Sequence, residues 1–181
     1  MKDNKLNKFD LSNLGDETLK SLFMYAYYKV KSAMIMDRFH KISSSRGKDE
    51  ECFRWRFAEN EALLHETQLF SHKVEYLKNK IAELSQKNHD VTALVIGLDS
   101  AKENYDRHFH DIQRIAQEKN ELVGYDIDFS DLDLDFIGVK KAFEAMDSES
   151  QQKVMACFAG SASNYDISLS SLQPSGSSMG E

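Results

Sequence analysis

Residues 60–122 read NEALLHETQLFSHKVEYLKNKIAELSQKNHDVTALVIGLDSAKENYDRHFHDIQRIAQEKNEL, and apolar side chains recur in this stretch at the seven-residue interval of a coiled coil. In the first half, the inward positions a and d are occupied by Asn60, Thr67, Val74 and Ile81 and by Leu63, Phe70, Leu77 and Leu84. In the second half they are occupied by Val91, Leu98, Tyr105, Ile112 and Lys119 and by Leu94, Ala101, His108, Ile115 and Leu122. The two repeats predict two long helices, over residues 49–86 and 91–122.

A short polar turn, residues 87–90, separates the two repeats, and its asparagine and aspartate are residue types that cap a following helix. Two helices joined by so short a turn pack most economically as an antiparallel hairpin. If Leu84 meets Val91 at the turn, Thr67 faces His108, and one polar pair in an apolar seam fixes the register of the helices. We predict a structural polar layer in which the hydroxyl of Thr67 hydrogen-bonds the imidazole of His108.

The segments on either side of the hairpin complete an all-α prediction. Apolar residues three and four apart predict a helix over 17–42 that packs with the hairpin. Residues 125–136 alternate aspartate with apolar side chains, which is typical of a strand or an extended arm. We expect the following organisation: an N-terminal arm over 1–15, one helical domain over 16–159 with an acidic connector at 124–136 and short helices within 137–158, and a flexible, serine-rich tail over 160–181.

Composition agrees with long helices and separates two differently charged regions. The chain has 181 residues, a single proline and eight glycines, whereas an all-β fold with a turn every 8–12 residues or so normally uses more of both. The net charge is −7. Residues 1–57 carry twelve Lys and Arg against eight Asp and Glu, and residues 123–181 carry three against ten, so the two regions are expected to attract each other.

The sequence contains little that catalysis or cofactor binding requires. Asp133, Asp135, Gly138 and Glu144 match positions of a calcium-binding loop, but Ile137 stands where an oxygen ligand is needed. Paired Glu-x-x-His motifs, a nucleophile elbow and a phosphate-binding glycine loop are all missing from the sequence. We therefore predict a protein that is not an enzyme and that holds no metal or other cofactor.

Targeting signals are equally sparse. Cys52 and Cys157 lie far apart and show no metal-binding spacing. The N-terminus is not followed by an apolar signal core, and the most apolar stretch is too short to cross a bilayer. We expect a cytoplasmic protein with reduced thiols and no membrane partner.

Three similar triplets suggest protein docking. Each begins with an aromatic residue, aspartate and an aliphatic residue, and each lies outside the long helices, where an extended element can add to a groove or a sheet edge. The candidate interaction residues from these segments are Phe9, Leu11, Tyr125, Ile127, Phe129, Tyr165 and Ile167.

These observations predict a non-enzymatic interaction or assembly protein, such as an adaptor, a scaffold or a structural component. Self-association into a homo-oligomer is expected, because helix 17–42 and the hairpin together have more apolar faces than one small unit can bury. The expected partners are a second copy and another protein. The alternative is a nucleic-acid-binding accessory factor that uses basic and aromatic side chains of the first third, although the acidic total disfavours it. Its candidate residues are Lys29, Lys31, Arg54, Trp55 and Arg56.

Overall fold

The computed structural model describes residues 11–172, which form five α-helices and two short 3-10 helices. The α-helices are α1 (Glu17–Lys41), α2 (Ser45–Gln86), α3 (Thr92–Val123), α4 (Phe136–Ala145) and α5 (Ser148–Asn164). The 3-10 helices are η1 (Leu11–Asn13) and η2 (Ser170–Leu172). The predicted all-α fold is confirmed, and so is the hairpin of two long helices that packs with an N-terminal helix.

Short polar side chains set where four of the helices begin. Asp16, Ser44, Asp135 and Asp147 each accept hydrogen bonds from free backbone N–H groups in the first turn of α1, α2, α4 and α5. The cap at Ser44 makes α2 begin at residue 45, whereas the sequence predicted a start at 49. Gly47 permits this early start, because a Cβ atom there would lie 2.8 Å from Ser44 Oγ and 2.9 Å from a methyl carbon of Ile42.

The helices pack in the order α3, α2, α1, α5. α2 lies between α1 and α3, and α1 packs on its other side against α5 and α4, whereas α3 packs extensively only against α2. The centre of the core lies around Phe23 of α1. The edges of three rings from α4 and α5 meet it: Phe136, Phe143 and Phe158, with centroids 6.2, 5.3 and 6.2 Å away. α3 is therefore the edge helix of the fold.

The acidic connector forms neither a strand nor a free arm. It crosses α2 and α1 as an irregular chain of turns, with Phe129 stacked on Phe57 at 5.0 Å. The hydroxyl of Tyr28 donates to the carbonyl of Leu132 at 2.6 Å and accepts from the N–H of Leu134 at 3.4 Å. The alternation in the sequence arises because apolar side chains face the core, while Asp131 and Asp133 pair with cations and Asp135 caps α4.

The predicted N-terminal arm and the predicted flexible tail are both partly packed. α5 continues past residue 158 to Asn164, Tyr165 is buried, and Leu172 is fully buried. At the other end Leu14 is buried, and η1 contacts η2. The tail prediction is therefore wrong for residues 160–172. Residues 1–10, which include Phe9, and residues 173–181 lie outside the described part of the chain.

The register of the hairpin is close to the prediction, but its polar layer is different. Phe70 meets the edge of the His108 ring at 5.1 Å, and the hydroxyl of Thr67 donates to the carbonyl of Leu63 in its own helix at 2.9 Å. A threonine inside a helix often bonds back to the preceding turn in this way. The predicted Thr67–His108 hydrogen bond is not formed, and the buried Nδ1 atom of His108 has no hydrogen-bond partner among residues 11–172.

Candidate interaction surface

The residues of the predicted nucleic-acid site are engaged within the chain. Arg54 donates two hydrogen bonds to the carboxylate of Asp131, at 2.7 and 2.8 Å, and a third to the carbonyl of Asp128. Trp55 is partly buried against the core. The other cations have carboxylate partners too: Lys29 pairs with Glu59 at 3.2 Å, Lys31 with Asp131 at 3.7 Å and Arg56 with Glu118. Carboxylates of the same chain therefore compensate the charges that would contact phosphates.

A second polar contact joins the two helices of the hairpin to the connector. The ammonium group of Lys119 lies 3.1 Å from carboxylate oxygens of both Glu61 and Asp133. Burial raises the pKa of Glu61, and the neighbouring Lys119 opposes that shift. Two residues earlier in the connector, the hydrogen bonds from Arg54 lower the pKa of Asp131. Attraction between basic and acidic regions, expected from the sequence, thus operates within one chain.

Most of the predicted docking triplets belong to the core. Phe129 and Tyr165 are buried, and the hydroxyl of Tyr165 donates to Glu66 at 3.0 Å. The aliphatic residues of the triplets are partly buried against the same core: Leu11, Ile127 and Ile167. Among the candidate docking residues that lie within residues 11–172, Tyr125 alone is exposed, at 52 %, with its ring stacked on Phe53 at 4.9 Å.

The aspartates that match the spacing of a calcium-binding loop have structural roles. Asp135 caps α4 through a 2.8 Å hydrogen bond from the N–H of Gly138, and Asp133 pairs with Lys119. Within residues 11–172, no group of three or more His, Cys, Asp and Glu side chains is placed to hold a metal ion.

One face of the edge helix α3 is not covered by any other part of residues 11–172. Its buried residues are Ala101, Ile115 and Leu122, all at d positions that face α2. The a positions beside them are only partly buried, and the e positions on the outer side of the a row are exposed. Such a face should be polar on an edge helix with no further neighbour.

The uncovered face is instead largely apolar. At the e positions, Val95 is 40 % exposed, Phe109 55 % and Val123 52 %, and the ring of Phe109 stacks on Tyr105 at 6.0 Å. We call this surface the α3 band, and it consists of Val95, Leu98, Tyr105, Phe109, Ile112 and Val123. Lys102 and Ala116 interrupt the e row, and both are exposed. The band runs the length of a 32-residue helix, about 48 Å at 1.5 Å per residue.

Far from α1, the hairpin has little core of its own. The start of α1 lies beside Gln68 of α2, because Ser21 hydrogen-bonds Gln68. The rest of α2, up to Gln86, therefore extends beyond α1, together with the first half of α3. Over residues 74–101 the only buried side chains are Val74, Leu77 and Ala101. The exposed Ile96, at 67 %, lies in this projecting part beside the α3 band.

Comparisons with protein families, with curated proteins and with solved structures found no significant match to this chain. Across residues 11–172, no helix has both the length and the apolar character that a bilayer crossing demands. The α3 band was missed from the sequence, although the apolar e positions were a visible signal for it.

Proposed function

We propose that this is a non-enzymatic interaction and assembly protein that uses the α3 band to dock a helix of another polypeptide. One observation carries the proposal: among residues 11–172 the edge helix packs extensively against α2 alone, and one flank of it carries half-exposed apolar side chains from Val95 to Val123. A contiguous apolar surface of this kind marks an interaction site more often than isolated exposed residues do.

The energy available at the band suits a reversible contact. Completing the burial of the half-exposed Val95, Phe109 and Val123 contributes roughly 3 kcal/mol, since full burial of one such side chain contributes about 1.5–3 kcal/mol. The partly exposed Leu98, Tyr105 and Ile112 add to this. Association also costs the two partners translational and rotational freedom, and this cost offsets much of the free energy gained by burial. The resulting contact is weak and reversible, as an adaptor or assembly component requires.

The other proposed properties are less specific. We propose a cytoplasmic location, because Cys52 and Cys157 are both free thiols, as is usual in that compartment. The nucleic-acid alternative gains no support from the geometry, since its cations already have carboxylate partners.

A photo-crosslinking amino acid at position 109 tests the proposal in cells that make the protein. The matched control carries the same group at Arg107, which is exposed on the same turn of α3 but on the opposite flank of the α2–α3 contact. We expect protein adducts from position 109 and few from position 107. Equal yields from both positions would mean that the α3 band is not a docking surface.

A further inference from the structure

We propose that the occupant of the α3 band is the α3 band of a second copy, packed antiparallel about a twofold axis at Phe109. This inference rests on the proposed function and names its partner.

The distribution of exposed apolar side chains is symmetric about Phe109. Seven large apolar side chains are exposed among residues 11–172, and five of them lie on α3 or just beyond its end: Val95, Ile96, Phe109, Val123 and Tyr125. Val95 and Val123 each lie two heptads from Phe109, on opposite sides. A twofold axis at Phe109 brings the Val95 and Ile96 end of one copy onto the Val123 and Tyr125 end of the other. A symmetric dimer requires this self-complementarity of a single patch.

Charge favours the antiparallel orientation over the parallel one. In a parallel pair in register, Lys102 would face Lys102 of the second copy, and like charges at such distances repel. In the antiparallel pair centred on Phe109, Lys102 faces the small, neutral Ala116 of the second copy. The antiparallel orientation therefore avoids the like-charge contact that the parallel orientation would make.

The area available is that of a modest dimer. A strip about 48 Å long and about 10 Å wide, the diameter of a helix, presents roughly 500 Å² per copy. Stable complexes bury about 800 Å² per partner, so we expect a dimer that dissociates on dilution. Residues 173–181 cannot replace the second copy as occupant, because Pro174 and Met179 are their only large apolar side chains.

Disulfide trapping of the purified full-length chain tests the orientation. The parent for these variants carries Cys52→Ser and Cys157→Ser, with helical content checked by circular dichroism. Under mild oxidation, Phe109→Cys should form a covalent dimer, because identical positions meet only on the axis. The matched control Arg107→Cys should give none. A mixture of Val95→Cys and Val123→Cys chains should give a mixed dimer, while Val95→Cys alone should not.

The outcomes separate this inference from the proposed function. Light scattering of the unmodified chain should show a dimer that dissociates on dilution through the micromolar range. Three results would each overturn the inference. The unmodified chain could be strictly monomeric, or it could form a dimer in which Phe109→Cys gives no disulfide. The third result is a disulfide-linked dimer of Val95→Cys alone, which requires a parallel pair. If the purified chain is monomeric while position 109 crosslinks to a different protein in cells, the proposed function stands and the second copy is excluded. If position 109 gives no adduct above its control and the chain is monomeric, both proposals fail.

Discussion

His65 should make the stability of this protein strongly dependent on pH between neutrality and pH 4. Its ring stacks on Tyr28 at 6.1 Å, with 7° between the ring planes, in the region where α1, α2 and the connector meet. Burial disfavours the charged imidazolium, and the nearby Lys119 adds repulsion, so that together they lower the pKa of His65 to about 4. In the unfolded chain the ring titrates near its usual value of about 6.5.

The direction and size of the effect follow from this difference. A proton binds the unfolded chain more tightly than the folded one, so the free energy of unfolding is fully retained above pH 6.5 and falls as the pH drops. Each pKa unit of difference corresponds to about 1.4 kcal/mol. His65 should therefore cost the fold about 2 kcal/mol at pH 5 and roughly 3 kcal/mol at pH 4 and below.

Urea unfolding of the parent and of His65→Leu at pH 7 and pH 5 measures this contribution. The leucine variant should lose about 2 kcal/mol less than the parent between the two pH values, whatever its stability at pH 7. The other histidines are common to both proteins and cancel in the comparison. The matched control is His110→Gln, a change to an exposed histidine of α3, which should keep the pH dependence of the parent. If His65→Leu and the parent lose the same free energy, His65 titrates normally and its environment is not the one described.

Four further substitutions test contacts that the sequence did not assign. His108→Leu should raise the free energy of unfolding by about 1 kcal/mol, because it removes a buried Nδ1 atom that lacks a hydrogen-bond partner; a lower thermal midpoint than the parent's would contradict this. Arg54→Gln should cost about 2 kcal/mol in urea unfolding, since it breaks charged hydrogen bonds. A double-mutant cycle with Asp131→Asn should give about 1 kcal/mol of coupling, reduced because Asp131 is half exposed, and strictly additive losses would argue against the pair. Phe129→Ala should lower the free energy of unfolding by about 3 kcal/mol in the same assay, as expected of a ring in the core. A loss near zero would instead support the prediction from sequence that Phe129 is a docking residue.

The helices could be predicted because their signals are local. The heptad repeats and the turn at residues 87–90 lie within one continuous stretch, so the hairpin and its approximate register followed from them. The start of α2 was missed because Ser43–Gly47 reads as a helix breaker, whereas Ser44 caps the helix and Gly47 begins it. Capping and breaking use the same residue types, and only the neighbouring contacts distinguish them.

The interaction surface could not be predicted because it depends on the order of the helices. An aromatic residue followed by aspartate and an aliphatic residue suits a docking element and a packed loop equally well, and here Tyr165 enters the core of its own chain. Likewise, the apolar e positions of α3 are visible in the sequence, but whether another helix covers them is decided by distant segments. The serine-rich composition of residues 160–172 concealed the buried Leu172 for the same reason.

The cluster around Phe23 has a consequence for the order in which the chain can fold during its synthesis. Phe23 lies in α1, which leaves the ribosome before the other four α-helices, but the three rings that enclose it belong to α4 and α5, which are made last of the five. At ordinary elongation rates of about 5–20 residues per second, roughly 7–27 s separate the synthesis of Phe23 from that of Phe158. All of α2 and α3 is synthesised during that interval, so both helices can form and pack against α1 before α4 and α5 exist. Until α4 and α5 follow, the aromatic face of α1 stays exposed to water, and such exposed apolar surface makes a nascent chain prone to aggregation.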